Sequence, residues 1–155
     1  MPESAPDRIF SVEEANRLID VMEAVMAEIE RLRGQLERHD RELQILDALW
    51  GPKVMEVENP DHSEFEKHRT GVDQTVEEIE GLIRVEILAR GIRFPIGGLE
   101  HGLLDFPTTL DGRVVYLCWK RGEPKVSHWH EINRGFAGRQ PVTTEHATRM
   151  GTDQR

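Results

Sequence analysis

The chain has 155 residues, 37% of them hydrophobic and 32% charged, with a formal net charge of −9. That is the length of one domain, too apolar for full disorder and too acidic to favour nucleic acid or anionic membrane surfaces as partners. No apolar run approaches the roughly eighteen residues of a transmembrane span.

Met1-Pro2-Glu3-Ser4 opens without the basic-then-apolar pattern of a signal peptide. Cys118 is the single cysteine, so an intramolecular disulfide and an all-cysteine zinc site are both excluded. The predicted location is cytoplasmic. The whole-chain charge hides an asymmetry. Residues 1–90 hold 22 acidic and 11 basic side chains, whereas residues 91–155 hold 7 and 9. Eight of the 13 glycines follow Gly91, as do Tyr116, Trp119 and Trp129. The first part reads as solvated helix, the second as turns and short strands.

Ser11-Val12-Glu13-Glu14 is a capping box that starts helix one. A 3-4 spacing follows through Ala15, Leu18, Met22, Val25, Ile29, Leu32, Leu36, His39, Leu43, Leu46 and Trp50. This stripe predicts a coiled-coil-like seam that stops at Gly51-Pro52. An unbroken helix of that length would reach roughly 58 Å, so it must pack against another helix, a partner chain, or both. His39 is the one polar member and reads as a register or oligomer device.

Asn59-Pro60-Asp61 marks a turn, and Ser63-Glu64-Phe65-Glu66 a second capping box. Phe65, His68, Val72, Val76, Ile79, Leu82, Ile83 and Ile87 form the apolar face of helix two, which ends at Gly91. Gly71 and Gly81 weaken it by up to about 1 kcal/mol each. The simplest arrangement is an antiparallel hairpin of two long helices.

In the last third, Asp111-Gly112 is a tight-turn dipeptide. Val114–Lys120 is a strand by composition, and Lys125–Ile132 alternates like its partner across Arg121-Gly122-Glu123-Pro124. A further strand near Gly102–Phe106 would make three. The predicted fold is therefore α+β, a single domain over residues 1–155. It comprises helix one at 9–50, helix two at 63–90, a small antiparallel module at 91–141 and a frayed tail at 142–155.

Several strings here carry a resemblance. Gly-Leu-Leu-Asp-Phe-Pro (102–107), Val-Tyr-Leu-Cys-Trp-Lys (115–120), Gly-Glu-Pro (122–124), Trp-His-Glu (129–131) and Gly-Phe-Ala-Gly-Arg-Gln-Pro (135–141) stand with the opening Phe-Ser-Val-Glu-Glu-Ala-Asn (10–16). Together they resemble an uncharacterised bacterial family, domain of unknown function 2203, over nearly residues 9–142. The resemblance implies no activity, so any chemistry must come from the residues.

His128 and His130 share a strand face by alternation, and paired imidazoles suit zinc, iron, nickel and copper. Glu131, Asp105 and His101 are carboxylate and imidazole candidates to complete a site, with Glu123 and Cys118 as further ones. The cofactor expected is a divalent transition metal, zinc or iron. Whether Cys118 joins depends on the hairpin. A four-residue loop pairs Cys118 with Ser127 and puts it on the face away from the histidines; a five-residue loop pairs it with His128. The histidine pair without Cys118 is preferred, because Cys118 between Leu117 and Trp119 reads as a small buried hydrophobe. Purely structural histidines in a half-exposed strand remain the competing reading. Ser127 and His128 are expected on opposite faces, so no Ser-His pair is predicted.

Arg113, Arg134 and Arg139 can bind a small anion through their guanidinium forks. The competing and preferred role is pairing with the acidic helices. The function expected is metal binding, extending to a metal-dependent enzyme for a small anionic ligand. The alternative is a non-enzymatic coiled-coil scaffold that self-associates through its helices.

Overall fold

The computed structural model describes residues 6–151. It is a mixed helix-and-sheet protein whose contacts divide it into two compact units, Met1–Met26 with Arg84–Arg155, and Ala27–Ile83. The helices are α1 (Val12–Asn16), α2 (Ile19–Trp50) and α3 (His62–Leu82), with a short α4 (Thr144–Arg149). Four strands, β1 (Leu103–Leu110), β2 (Arg113–Lys120), β3 (His128–Glu131) and β4 (Gln140–Pro141), form one antiparallel sheet in that order. No helix among the described residues is long and apolar enough to cross a membrane.

The helical unit follows the predicted stripe. Ile29, Leu32 and Leu46 are buried on α2, with Leu36, His39 and Leu43 half-buried between them. Antiparallel pairing with α3 shows in two contacts. His39 meets His68 at 2.9 Å between Nδ1 atoms, and Trp50 Nε1 donates to Asp61 Oδ2 at 2.8 Å. The face of α3 differs by one residue from the predicted one. Thr75 is buried there and Val76 is exposed, so the inner side of α3 runs through 68, 72, 75 and 79. The second capping box does not form. α3 starts one residue earlier, at His62, and its N-cap Asp61 makes no side-chain cap bond because its carboxylate is taken by Trp50.

Gly71 has a packing reason that outweighs its helix cost. A Cβ built there would lie 2.4 Å from His39 Cε1. Gly71→Ala should therefore lower stability by about 1 kcal/mol, the overpacking cost exceeding the propensity gain. The His39→Ala background should reverse the sign. Thermal unfolding of the three variants checks this; stabilisation by Gly71→Ala alone would show that His39 simply swings away.

In the sheet unit the Ser11 capping box forms with both its bonds, Ser11 N to Glu14 Oε1 at 2.8 Å and Glu14 N to Ser11 Oγ at 3.0 Å. The single helix expected from there is broken at Arg17-Leu18, where Leu18 N bonds Ala15 O in a tighter turn. Helix two continues beyond α3 through a π-turn at Ile83–Ile87 and a 3₁₀ turn at Leu88–Arg90, ending at Gly91 with φ +88° as predicted. Asp111 and Gly112, at φ 53° and 82°, make the tight turn between β1 and β2.

One sheet face carries Leu104, Phe106, Val115, Leu117, Trp119 and Trp129, all buried. Phe10 stacks edge-on against Phe106 at 5.3 Å, and its N–H donates to Pro107 O at 2.7 Å. The stretch expected to fray instead forms α4 with a Thr143 capping box. His146 packs edge-on against Trp129, Met150 is buried, and Gly151 N donates to Thr109 O at 3.3 Å. Residues 152–155 of that stretch lie outside the described residues.

Candidate metal centre

The other sheet face is where the polar chemistry collects, and strand register explains why. Asp105 pairs with Cys118, and Cys118 with His128; one row along, Pro107 pairs with Tyr116, and Tyr116 with His130. Directly opposed residues share a face. An isolated bridge adds Arg93 opposite Asp105, so Arg93, Asp105, Cys118 and His128 form one row across the sheet.

This register corrects the preferred exclusion of Cys118. Cys118 pairs with His128 rather than Ser127, the pairing of the wider of the two alternatives. The loop is pinned by bonds that local composition does not reveal. Trp119 Nε1 donates to Glu123 O at 2.9 Å, Lys120 N to Glu123 Oε1 at 2.7 Å, and Val126 N to Asn16 Oδ1 at 2.7 Å. Cys118 is buried, as expected of a small hydrophobe, yet it sits beside an imidazole and a carboxylate.

Asp105, Cys118 and His130 form the cluster. Their ligand atoms all lie within 4.8 Å of one another, and the three residues are 4%, 2% and 3% exposed. His130 Nε2 lies 3.0 Å from Asp105 Oδ1. His130 Nδ1–H donates to the Glu131 carbonyl at 2.7 Å, which holds the ring with Nε2 turned to the cluster. Burial by itself would lower the imidazole's pKa. Hydrogen bonds with Asp105, Cys118 and the Glu131 carbonyl, with the Asp105 charge, outweigh it and raise the pKa to about 10.

The remaining candidates fall elsewhere. His128 is half-buried, with Nδ1 3.1 Å from Ser127 Oγ and 3.8 Å from Glu123 Oε2. The Ser-His contact was not expected; Ser127 precedes β3, so strand alternation does not govern it. Serine and carboxylate meet the same ring nitrogen, so the three do not form a proton relay. Glu131 points its side chain to the opposite face, where Arg113 binds it at 3.0 and 2.5 Å. Arg113 holds the Glu131 carboxyl below the usual carboxylate range. His101 is exposed and lines a separate cavity of about 290 Å³ with Leu103, Lys120 and Phe136.

Of the arginines, Arg139 donates to Glu123 Oε1 at 2.7 Å and to Cys118 O at 3.2 Å. Arg113 and Arg139 thus pair with carboxylates of the sheet unit rather than with the acidic helices as preferred. The acids at 123 and 131 lie next to them across adjacent strands and loops. Arg134 is exposed, with its Cβ packed against Gly138.

Sequence reading missed Arg93 and Tyr116. Both line a cavity of about 170 Å³ together with Phe94, Pro95, Asp105, His130, Ile132 and Gly135. The only sequence signal was the phase of β1, and Arg93 reaches the row through a single bridge that no strand pattern announces.

The described residues thus combine a helical hairpin with a four-stranded antiparallel sheet that carries a buried carboxylate, thiol and imidazole on one face. The chain belongs to the uncharacterised conserved protein family DUF2203, whose model matches residues 8–142. No curated protein and no solved structure matches it significantly.

Proposed function

We propose that this protein binds one divalent transition metal ion through Asp105 Oδ1, Cys118 Sγ and His130 Nε2. The observation that carries the reading is convergence. Asp105 Oδ1 meets His130 Nε2, the Cys118 thiol lies within 4.8 Å of both groups' ligand atoms, and the other imidazole nitrogen is held by a backbone carbonyl. A cysteine nucleophile with a carboxylate-oriented base would need the acid and the thiol on different ring nitrogens. Three buried donors within 4.8 Å of one another, with the second imidazole nitrogen anchored, suit a metal ligand set.

The donor set of one thiolate, one imidazole and one carboxylate suits zinc first and iron second. Three protein ligands leave a further coordination position, as in catalytic rather than structural zinc sites. A bound ion would act there as a Lewis acid toward a small anionic ligand. The thiol must stay reduced to serve, which fits a cytoplasmic location.

Elemental analysis of tag-free protein tests the reading. About one equivalent of zinc or iron is expected, falling on substitution of Cys118 by serine. Less than about a tenth of an equivalent, with no uptake on addition, would leave the cluster a buried ion pair and overturn the proposal.

Self-association is a second reading, supported by apolar side chains on the helical unit. Ile45, Leu49, Met55 and Val57 are 52%, 66%, 63% and 78% exposed. Sedimentation at high protein concentration should then give a mass above 17.8 kDa that Leu49→Glu returns to the monomer; a monomer throughout would sink it.

A further inference from the structure

The cavity of about 170 Å³ opens on the metal-ligand cluster itself, since Asp105 and His130 both line it. Its other walls are of two kinds. Phe94, Pro95 and Ile132 are apolar, whereas Arg93 and Tyr116 are polar. The Arg93 backbone exchanges both hydrogen bonds with Asp105, N to O at 2.8 Å and O to N at 2.7 Å. That bridge puts the guanidinium on the same face as the carboxylate and the thiol. Arg93 thus brings a positive charge to the wall of the cavity that Asp105 and His130 also line.

From this we infer that the cavity takes a small carboxylate with a short apolar tail, its oxygens shared between the metal ion and Arg93. The inference rests on the metal reading and adds the ligand class. Charge favours an anion, because Arg93 and two of the proposed metal ligands line one cavity, where a bound ion would add its own positive charge. Size favours a small one. At about 30 Å³ per water-sized group, the cavity holds roughly five or six non-hydrogen atoms, the size of butyrate. The apolar wall of Phe94, Pro95 and Ile132 favours an alkyl tail over a second charged group. The Tyr116 ring packs edge-on against His130 at 5.5 Å, which makes it a wall of the cavity and a support of the ligand imidazole.

The test uses the full chain loaded with cobalt(II), whose visible absorption reports its ligands. Butyrate should change the spectrum saturably. Arg93→Met should keep cobalt stoichiometry while weakening the butyrate response roughly tenfold or more, and Arg93→Lys should lie between. Ile132→Asp should weaken butyrate more than it weakens acetate, which has no tail to place. Cobalt bound but indifferent to butyrate, or an Arg93→Met protein that responds like the parent, would overturn this inference and leave the metal reading standing. Failure to take up cobalt would overturn both.

Discussion

Asp105→Ala will cost the metal-free protein about 3–5 kcal/mol near neutral pH and will abolish tight metal binding. The stability loss follows from what the substitution leaves behind. His130 is 3% exposed and its imidazole is held charged by Asp105. Removing the carboxylate takes away what raises the imidazole pKa while burial still lowers it, so His130 loses its proton near neutral pH and with it a stabilisation on the order of a few kcal/mol. Replacing both partners removes the charges together. Asp105→Leu with His130→Leu should therefore recover most of the loss while still binding no metal. Urea unfolding of the single and double variants separates the loss of one partner from the net worth of the pair. A single variant that loses less than about 1 kcal/mol and keeps its metal would falsify the account.

The second large effect concerns pH. The folded pKa of His130, about 10, lies above its ordinary value of 6.5. The folded state then binds the proton more tightly than the unfolded chain. Its contribution to stability is complete below about pH 6.5 and is lost as pH rises through about 10. The metal-free protein should thus weaken across that window by an amount on the order of a few kcal/mol. His130→Gln should flatten that part of the profile.

A metal on Nε2 replaces the proton, so the loaded protein should not show the slope. Loading should release the His130 proton, and metal affinity should rise as pH rises. Comparing unfolding at about pH 6 and about pH 9, with and without zinc, reads both effects. A metal-free profile that climbs between those values would contradict the assignment of His130 as the proton holder.

Much of the architecture was legible because it depends on local or periodic signals. The Ser11 box, the stripe through Ile29, Leu32 and Leu46, the Asp111-Gly112 turn and the stop at Gly91 each arise within a few residues. Where expectation failed, a distant group had intervened. Trp50 drew off the Asp61 carboxylate, so α3 lacks its side-chain cap. His39 made Gly71 a necessity rather than a weakness. Trp129 gave the residues after Thr143 a surface to fold on.

By itself, then, the sequence determined the class of fold, the helical hairpin, the resemblance later matched over residues 8–142, and the residue types from which a metal site could be drawn. Which of them meet was decided only in the tertiary structure. Asp105, Cys118 and His130 lie on three strands, and the face each side chain occupies alternates with every residue of register. One residue of loop length moves Cys118 from the far face to the cluster. That residue was set by Trp119 reaching Glu123 and by Asn16 holding Val126, contacts that exist only once the chain has folded.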